Sequence, residues 1–241
     1  MTNAKGRRKP NRKGSERATG VDSSLPTKIL HRPFVASVIG IALYWASFPP
    51  IGAAILGWLA PVPWITLATC RQWTGRRPYL AIWFAATLGW MAILQGVRLP
   101  FWGLYFGWFA LSAYVGLYLP AFIAITRVAH HRWKVPLVIA APIVWCGLEW
   151  IRGRYPVSFA VAILGHTQVR FPRLIQIADI GGAITVSALL MIVAAAIATV
   201  IGAGKRPDSA SPSSGARADS ARTSTFAVVA AAVATMAALG Y

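Results

Sequence analysis

Between residues 33 and 203 the chain carries only two acids, Glu149 and Asp179. An ionisable side chain in so apolar a stretch is costly and by default marks a functional position. Glu149 stands in the run WCGLEWIRGRYP, with Arg152 three residues on. On a helix that spacing sets both on one face, within pairing reach. Such a pair binds a zwitterionic head group, or it neutralises itself and orients a helix end. Cys146, three residues before Glu149, raises a thiol–carboxylate site. A reactive thiol needs a cation or base beside it; an apolar helix supplies neither, so Cys146 reads as a packing residue. His166 and Gln168 share the element ILGHTQ. An imidazole there binds phosphate, accepts a proton or serves as a hydrogen-bonded anchor. His130 and His131 lie among basic residues and read as solvated. The sequence shows neither metal-ligand spacing nor a nucleophile–base set, and Cys70 and Cys146 make no disulfide framework. No metal or cofactor is expected.

The elements that position these residues follow from composition. Of 241 residues, 56% are apolar and 12% charged, against about 45–50% and about 25% in an average soluble domain. A soluble enzyme needs more polar surface than this, and a disordered basic protein would not carry 11 Trp, 10 Phe and 7 Tyr. The remaining class is an all-α integral membrane protein. A spanning helix takes about 20 apolar residues. Seven candidate spans result, at residues 34–48, 51–70, 79–97, 101–126, 135–151, 181–203 and 225–241. Residues 155–168 are too short to span and suit a re-entrant or interfacial segment. The tryptophans spread through the spans read as interfacial anchors and packing.

Charge sets the expected topology. The chain has 24 basic residues against 6 acidic, and nine of the basic ones fall in the first 32 residues. With that tail cytoplasmic and seven spans, 19 basic residues lie on the cytoplasmic side and 5 on the other, as the positive-inside rule requires. The expected organisation is a basic disordered tail (1–32), a six-span bundle (33–203), a Ser/Ala/Pro-rich cytoplasmic linker (204–223) and a seventh helix (224–241). The basic tail has no folded reader domain behind it, so no nucleic-acid partner is expected.

The stretch ALYWASFPPIGAAILGWLAPVPWI at residues 42–65 resembles the first helical hairpin of apolipoprotein N-acyltransferases. A stronger likeness runs through PIVWCGLEWIRG, then LGHTQ, then QIADIGGAITVSALLMIV. The residues that carry it are Trp145, Glu149, Trp150, Arg152 and Gly153; Gly165, His166, Thr167 and Gln168; and Gln176, Ala178, Gly182 and Ser187. The Gly-Phe-Pro-Trp common in that family is replaced here by Ser158-Phe159-Ala160-Val161. The resemblance covers about residues 34–203 and implies a bacterial cytoplasmic-membrane protein. Its chemistry would be acyl transfer from a phospholipid to the N-terminal diacylglyceryl-cysteine of a lipoprotein. In that family a cysteine thioester, assisted by a glutamate and a lysine, carries the acyl group in a nitrilase-like extracytoplasmic domain. None of those three residues maps onto this chain. The expectation is therefore the membrane part of such an enzyme, truncated or split from its catalytic domain and inactive alone. Its partners would be phospholipid, lipoprotein and a separate nitrilase-like domain. Glu149, Trp150, Arg152, His166, Gln168 and Gln176 are the candidate lipid or head-group residues. The alternative, from another class, is a non-catalytic scaffold or transporter-like subunit.

Overall fold

The computed structural model describes residues 32–98 and 102–203. Among these residues the chain is helical, with no strand. Ten α-helices occur in order: α1 (Pro33–Ala46), α2 (Ile55–Leu59), α3 (Pro61–Thr69), α4 (Pro78–Ile93), α5 (Leu104–Gly116), α6 (Tyr118–His131), α7 (Leu137–Arg154), α8 (Pro172–Ile175), α9 (Ala178–Gly181) and α10 (Ala183–Ala203). Two 3₁₀ turns, Gln95–Arg98 and Leu164–Gln168, lie between them.

Prolines punctuate this order. α1, α3, α4 and α8 each open on a proline, where the fixed φ suits a helix and the missing N–H would have no partner anyway. α7 ends at Arg154 because Pro156 drives Tyr155 into extended backbone, at φ −141° and ψ 148°. Pro120 lacks the N–H that would bond the Gly116 carbonyl, so α5 and α6 meet in a break at Leu117 rather than running through. Gly182, at φ 74°, makes the left-handed turn that separates α9 from α10.

Two stretches are long and apolar enough to cross a membrane, Leu104–His131 with 28 residues and Ala183–Gly202 with 20. Three of the other expected spans are shorter or broken. Residues 34–48 give a 14-residue helix. Residues 51–70 give two short helices, α2 and α3, because Pro49-Pro50 and Gly52 hold the chain in turns as far as Ala54. Residues 79–97 give a 16-residue helix that passes into a 3₁₀ turn. Residues 135–151 belong to the 18-residue α7, which runs on to include Arg152 and Arg154. The basic tail up to residue 31, the linker and the span expected at 225–241 lie outside the described residues. Residues 155–168 form no spanning helix: an irregular stretch leads into the second 3₁₀ turn.

α10 lies along α7 and α3, α4 lies between α1 and α5, and α6 lies between α3 and α7. Tyr44, Trp64, Trp90 and Trp145 meet at the centre. Trp64 stacks on Trp145 at 5.5 Å, and Tyr44 sits 6.0 Å from both Trp64 and Trp90. Trp58, Trp64 and Trp90 are thus core residues, whereas Trp102, Trp133 and Trp150 are exposed. The outer surface is apolar along the helices, with Phe84, Leu88, Phe106, Phe109, Ile139 and Ile143 all exposed.

Candidate functional site

The last turn of α7 brings Glu149 and Arg152 to one face, and both are buried, at 4% and 3% exposure. Two arginines in that last turn, Arg152 and Arg154, also complement the negative end of the helix dipole. The chain then leaves the helix and folds back over its end. The Phe159 N–H donates to the Arg152 carbonyl at 2.8 Å.

Residues 161–168 carry backbone groups that no helix satisfies, and the surrounding elements satisfy them. The Leu164 N–H donates to Glu149 Oε1 at 2.9 Å, and the Gly165 N–H donates to Ser187 Oγ of α10 at 2.9 Å. Arg152 Nη2 donates to the Val161 carbonyl at 3.4 Å, and Tyr44 Oη of α1 donates to the Ala162 carbonyl at 2.6 Å. Gln168 Nε2 donates to the Ala54 carbonyl at 2.9 Å, and Trp58 Nε1 donates to Gln168 Oε1 at 3.3 Å. Each buried peptide group left unpaired would cost about 1–3 kcal/mol, so these side chains hold an otherwise unfavourable loop inside the bundle. Ala162 is at φ 50°, a conformation that costs a non-glycine residue about 1–3 kcal/mol and persists only when its surroundings over-determine it. The Tyr44 hydroxyl on its carbonyl is part of that constraint.

Glu149 and Arg152 therefore spend hydrogen bonds on the same returning segment. The Trp145 indole and the Ser187 hydroxyl also face the Glu149 carboxyl, and the Arg152 guanidinium faces the Tyr44 hydroxyl. The Arg152 guanidinium also lies 5.2 Å from the centre of the Trp90 ring, a cation–π distance.

The six residues singled out in the sequence divide in two. Glu149, Arg152 and Gln168 converge on the segment from different elements, all buried. His166 sits within the segment, between buried Gly165 and buried Thr167, with its own side chain exposed. Loss of hydration, and then the Arg152 charge, hold its imidazole below the usual histidine range, so it is neutral at pH 7. Trp150 is on the outward face of α7 under the Arg154 guanidinium, at 4.6 Å. Gln176, also exposed, follows α8 and joins none of these contacts. Cys146 donates to the Ile184 carbonyl at 3.6 Å and Cys70 to the Thr66 carbonyl at 3.4 Å, which fits packing roles. Tyr44, Trp58 and Ser187 complete the site without having been candidates. Ser187 belongs to the run that carries the resemblance. Tyr44 is 118 residues from its partner, and no local signal announces it. Among the described residues no group of three His, Cys, Asp or Glu side chains could hold a metal. This arrangement fixes a loop and presents an imidazole; its acids and thiols form no nucleophile–base set.

A helical bundle that pins a non-helical segment with buried polar side chains defines the class. The family described as Apolipoprotein N-acyltransferase N-terminal domain matches residues 41–196, which include Tyr44 through Ser187. Apolipoprotein N-acyltransferase of Rhodopirellula baltica is 35% identical over 170 residues, covering 66% of this chain and 29% of that protein. The Geobacter metallireducens protein of the same name is 33% identical over 172 residues, covering 67% and 32%. That of Vibrio vulnificus is 29% identical over 184 residues, covering 71% and 35%. The chain belongs to the apolipoprotein N-acyltransferase family, and matches about a third of the length of these relatives.

Proposed function

We propose that this chain supplies the membrane part of an apolipoprotein N-acyltransferase. Its place is the bacterial cytoplasmic membrane, with the basic N-terminal tail on the cytoplasmic side. The reaction is transfer of an acyl chain from a phospholipid to the diacylglyceryl-cysteine amine of a lipoprotein, completed by a nitrilase-like domain. The observation that carries this reading is the family match across the whole pinned segment and every residue that pins it. Two long apolar stretches and an apolar outer surface support a bilayer setting.

Within this reading the six candidates have separate tasks. Glu149, Arg152 and Gln168 position the returning segment. Trp150, His166 and Gln176, all exposed, meet the phospholipid: the indole lies at head-group level, and the neutral imidazole and the amide donate hydrogen bonds to phosphate or ester oxygens. Native mass spectrometry of the purified chain tests this. Wild type should retain phospholipid, and the combined Trp150→Ala, His166→Ala, Gln176→Ala variant should retain about tenfold less. Three contacts of about 0.5–1.5 kcal/mol each suffice for that factor. Equal retention by a folded triple variant would remove these residues from lipid contact.

A further inference from the structure

At the end of the bundle where α3 and α6 finish, Trp73 holds three elements together. Its Nε1 donates to the Leu67 carbonyl of α3 at 3.0 Å, and its ring meets Tyr79 of α4 edge-on at 5.0 Å. The Arg127 guanidinium of α6 lies 4.3 Å from its centre, and Arg127 Nη2 donates to the Arg71 carbonyl. One indole and one guanidinium thus tie the loop between α3 and α4 to the last turns of α6. The charges of Arg71 and Arg127 both reach the His131 ring, so the loop stands beside the turn into α7. That turn carries Arg132, Trp133 and Lys134. It is fixed by the Arg132 N–H on the Val128 carbonyl at 2.9 Å and the Val135 N–H on the Ala129 carbonyl at 3.0 Å, with Lys134 at φ 56°.

We propose that these two joined loops form a binding site for one anionic phospholipid, whose head group meets Arg71, Arg132 and Lys134 while its acyl chains lie along the neighbouring helices. Charge is the first reason. Arg71, Arg76, Arg77, Arg132 and Lys134 are all exposed here. The two acids among the described residues, Glu149 and Asp179, stand near the end of α7 and in α9, away from this cluster. Cations gathered at the membrane surface without acids beside them gain from anionic lipid, and an arginine grips a phosphate through two parallel N–H bonds. Arg127 is spent on Trp73 and the Arg71 carbonyl, so it positions the loop and leaves the exposed cations to the ligand.

The surface beside the cations decides what kind of anion fits. Ile125 and Val128 are exposed on α6 at a three-residue spacing, and Arg132 follows four residues on, which sets an apolar stripe below a cation. Ile139, in the first turn of α7, is exposed as well. Free phosphate, an acidic peptide or a nucleic acid would use the cations and leave this apolar surface bare. A molecule with an anionic head and an acyl body covers both. Trp133, 66% exposed between Arg132 and Lys134, suits head-group level. The site rests on the bilayer setting proposed above, lies at the opposite end from the pinned segment, and does not depend on acyl transfer.

The test is fluorine NMR of the full chain, labelled with fluorotryptophan, in zwitterionic detergent micelles. Short-chain phosphatidylglycerol, phosphatidylcholine with the same chains, and inorganic phosphate are titrated in turn. The Trp133 signal should move saturably with phosphatidylglycerol alone. Trp102, also exposed but outside the cluster, should stay in place. The combined Arg71→Gln, Arg132→Gln, Lys134→Gln variant should need at least about tenfold more phosphatidylglycerol for the same shift. The signals of Trp58 and Trp108, bonded to Gln168 and the Met91 carbonyl, should not change and so report that the variant is folded. An equal response to phosphatidylcholine would overturn the site, as would Trp133 and Trp102 moving together without saturation, or an unaltered titration in the triple variant. Saturation by inorganic phosphate at the same concentrations would replace the lipid by a free anion. A chain that stays in solution without detergent would overturn the bilayer setting, and the site with it.

Discussion

Glu149 combines two jobs in one carboxyl: it accepts the Leu164 N–H and sits one helical turn from the Arg152 guanidinium. The two jobs separate by mutation. Glu149→Gln keeps an acceptor for the peptide group and replaces only the carboxyl beside Arg152, at a cost of about 1–3 kcal/mol. Glu149→Leu removes the acceptor as well, strands the buried Leu164 N–H, and should cost about 1–3 kcal/mol more than Glu149→Gln. Denaturant unfolding in detergent reads the difference. Equal losses for the two variants would show that the peptide hydrogen bond carries no weight. Glu149 was legible in the sequence because an acid in an apolar run is expensive enough to need a reason. Tyr44 was not: one tyrosine in an aromatic-rich stretch looks like any other, and its partner carbonyl is fixed only when α1 is packed against the returning segment.

At the scale of elements, the returning segment is held by close approach as well as by hydrogen bonds. A Cβ on Gly165 would strike the Ala183 carbonyl oxygen at the start of α10, and would come within 3.1 Å of Val186. Backbone cannot rotate out of the way as a side chain can. Gly165→Ala should therefore destabilise the chain by about 1–3 kcal/mol. Gly96→Ala, where a new Cβ meets nothing within 4 Å, should stay within about 0.5 kcal/mol of wild type. Thermal midpoints of the two variants side by side check this, and matching midpoints would mean that α10 does not seat on Gly165. The same packing explains why element lengths were harder to read than element types. Apolar content adds up smoothly across residues 51–70, but Pro49-Pro50, Gly52 and the Ala60 junction divide that stretch into turns and two short helices. The C-terminal end of α7 is hard to read from sequence for the opposite reason. Arg152 and Arg154 look like the polar flank of a span, yet Arg152 is buried because Val161 and Trp90 give it partners.

For the whole molecule, a basic excess that first reads as a property of the entire chain divides by position. Among the described residues, Arg71, Arg76, Arg77, Arg127, Arg132 and Lys134 gather at the end of the bundle where α3 and α6 finish and where α4 and α7 begin. The pinned segment closes the end where α7 finishes. In the proposed topology the first of these ends faces the cytoplasm, and Arg98, Arg152, Arg154, Arg170 and Arg173 lie toward the other. The proposed role in lipoprotein N-acylation is tested by the mass of a mature lipoprotein N-terminus. In a strain that carries no other apolipoprotein N-acyltransferase gene, in-frame deletion of residues 33–203 should lower the lipoprotein N-terminal peptide by the mass of one acyl chain, and the intact locus supplied in trans should restore it. An unchanged, fully acylated peptide in the deletion strain would rule that role out.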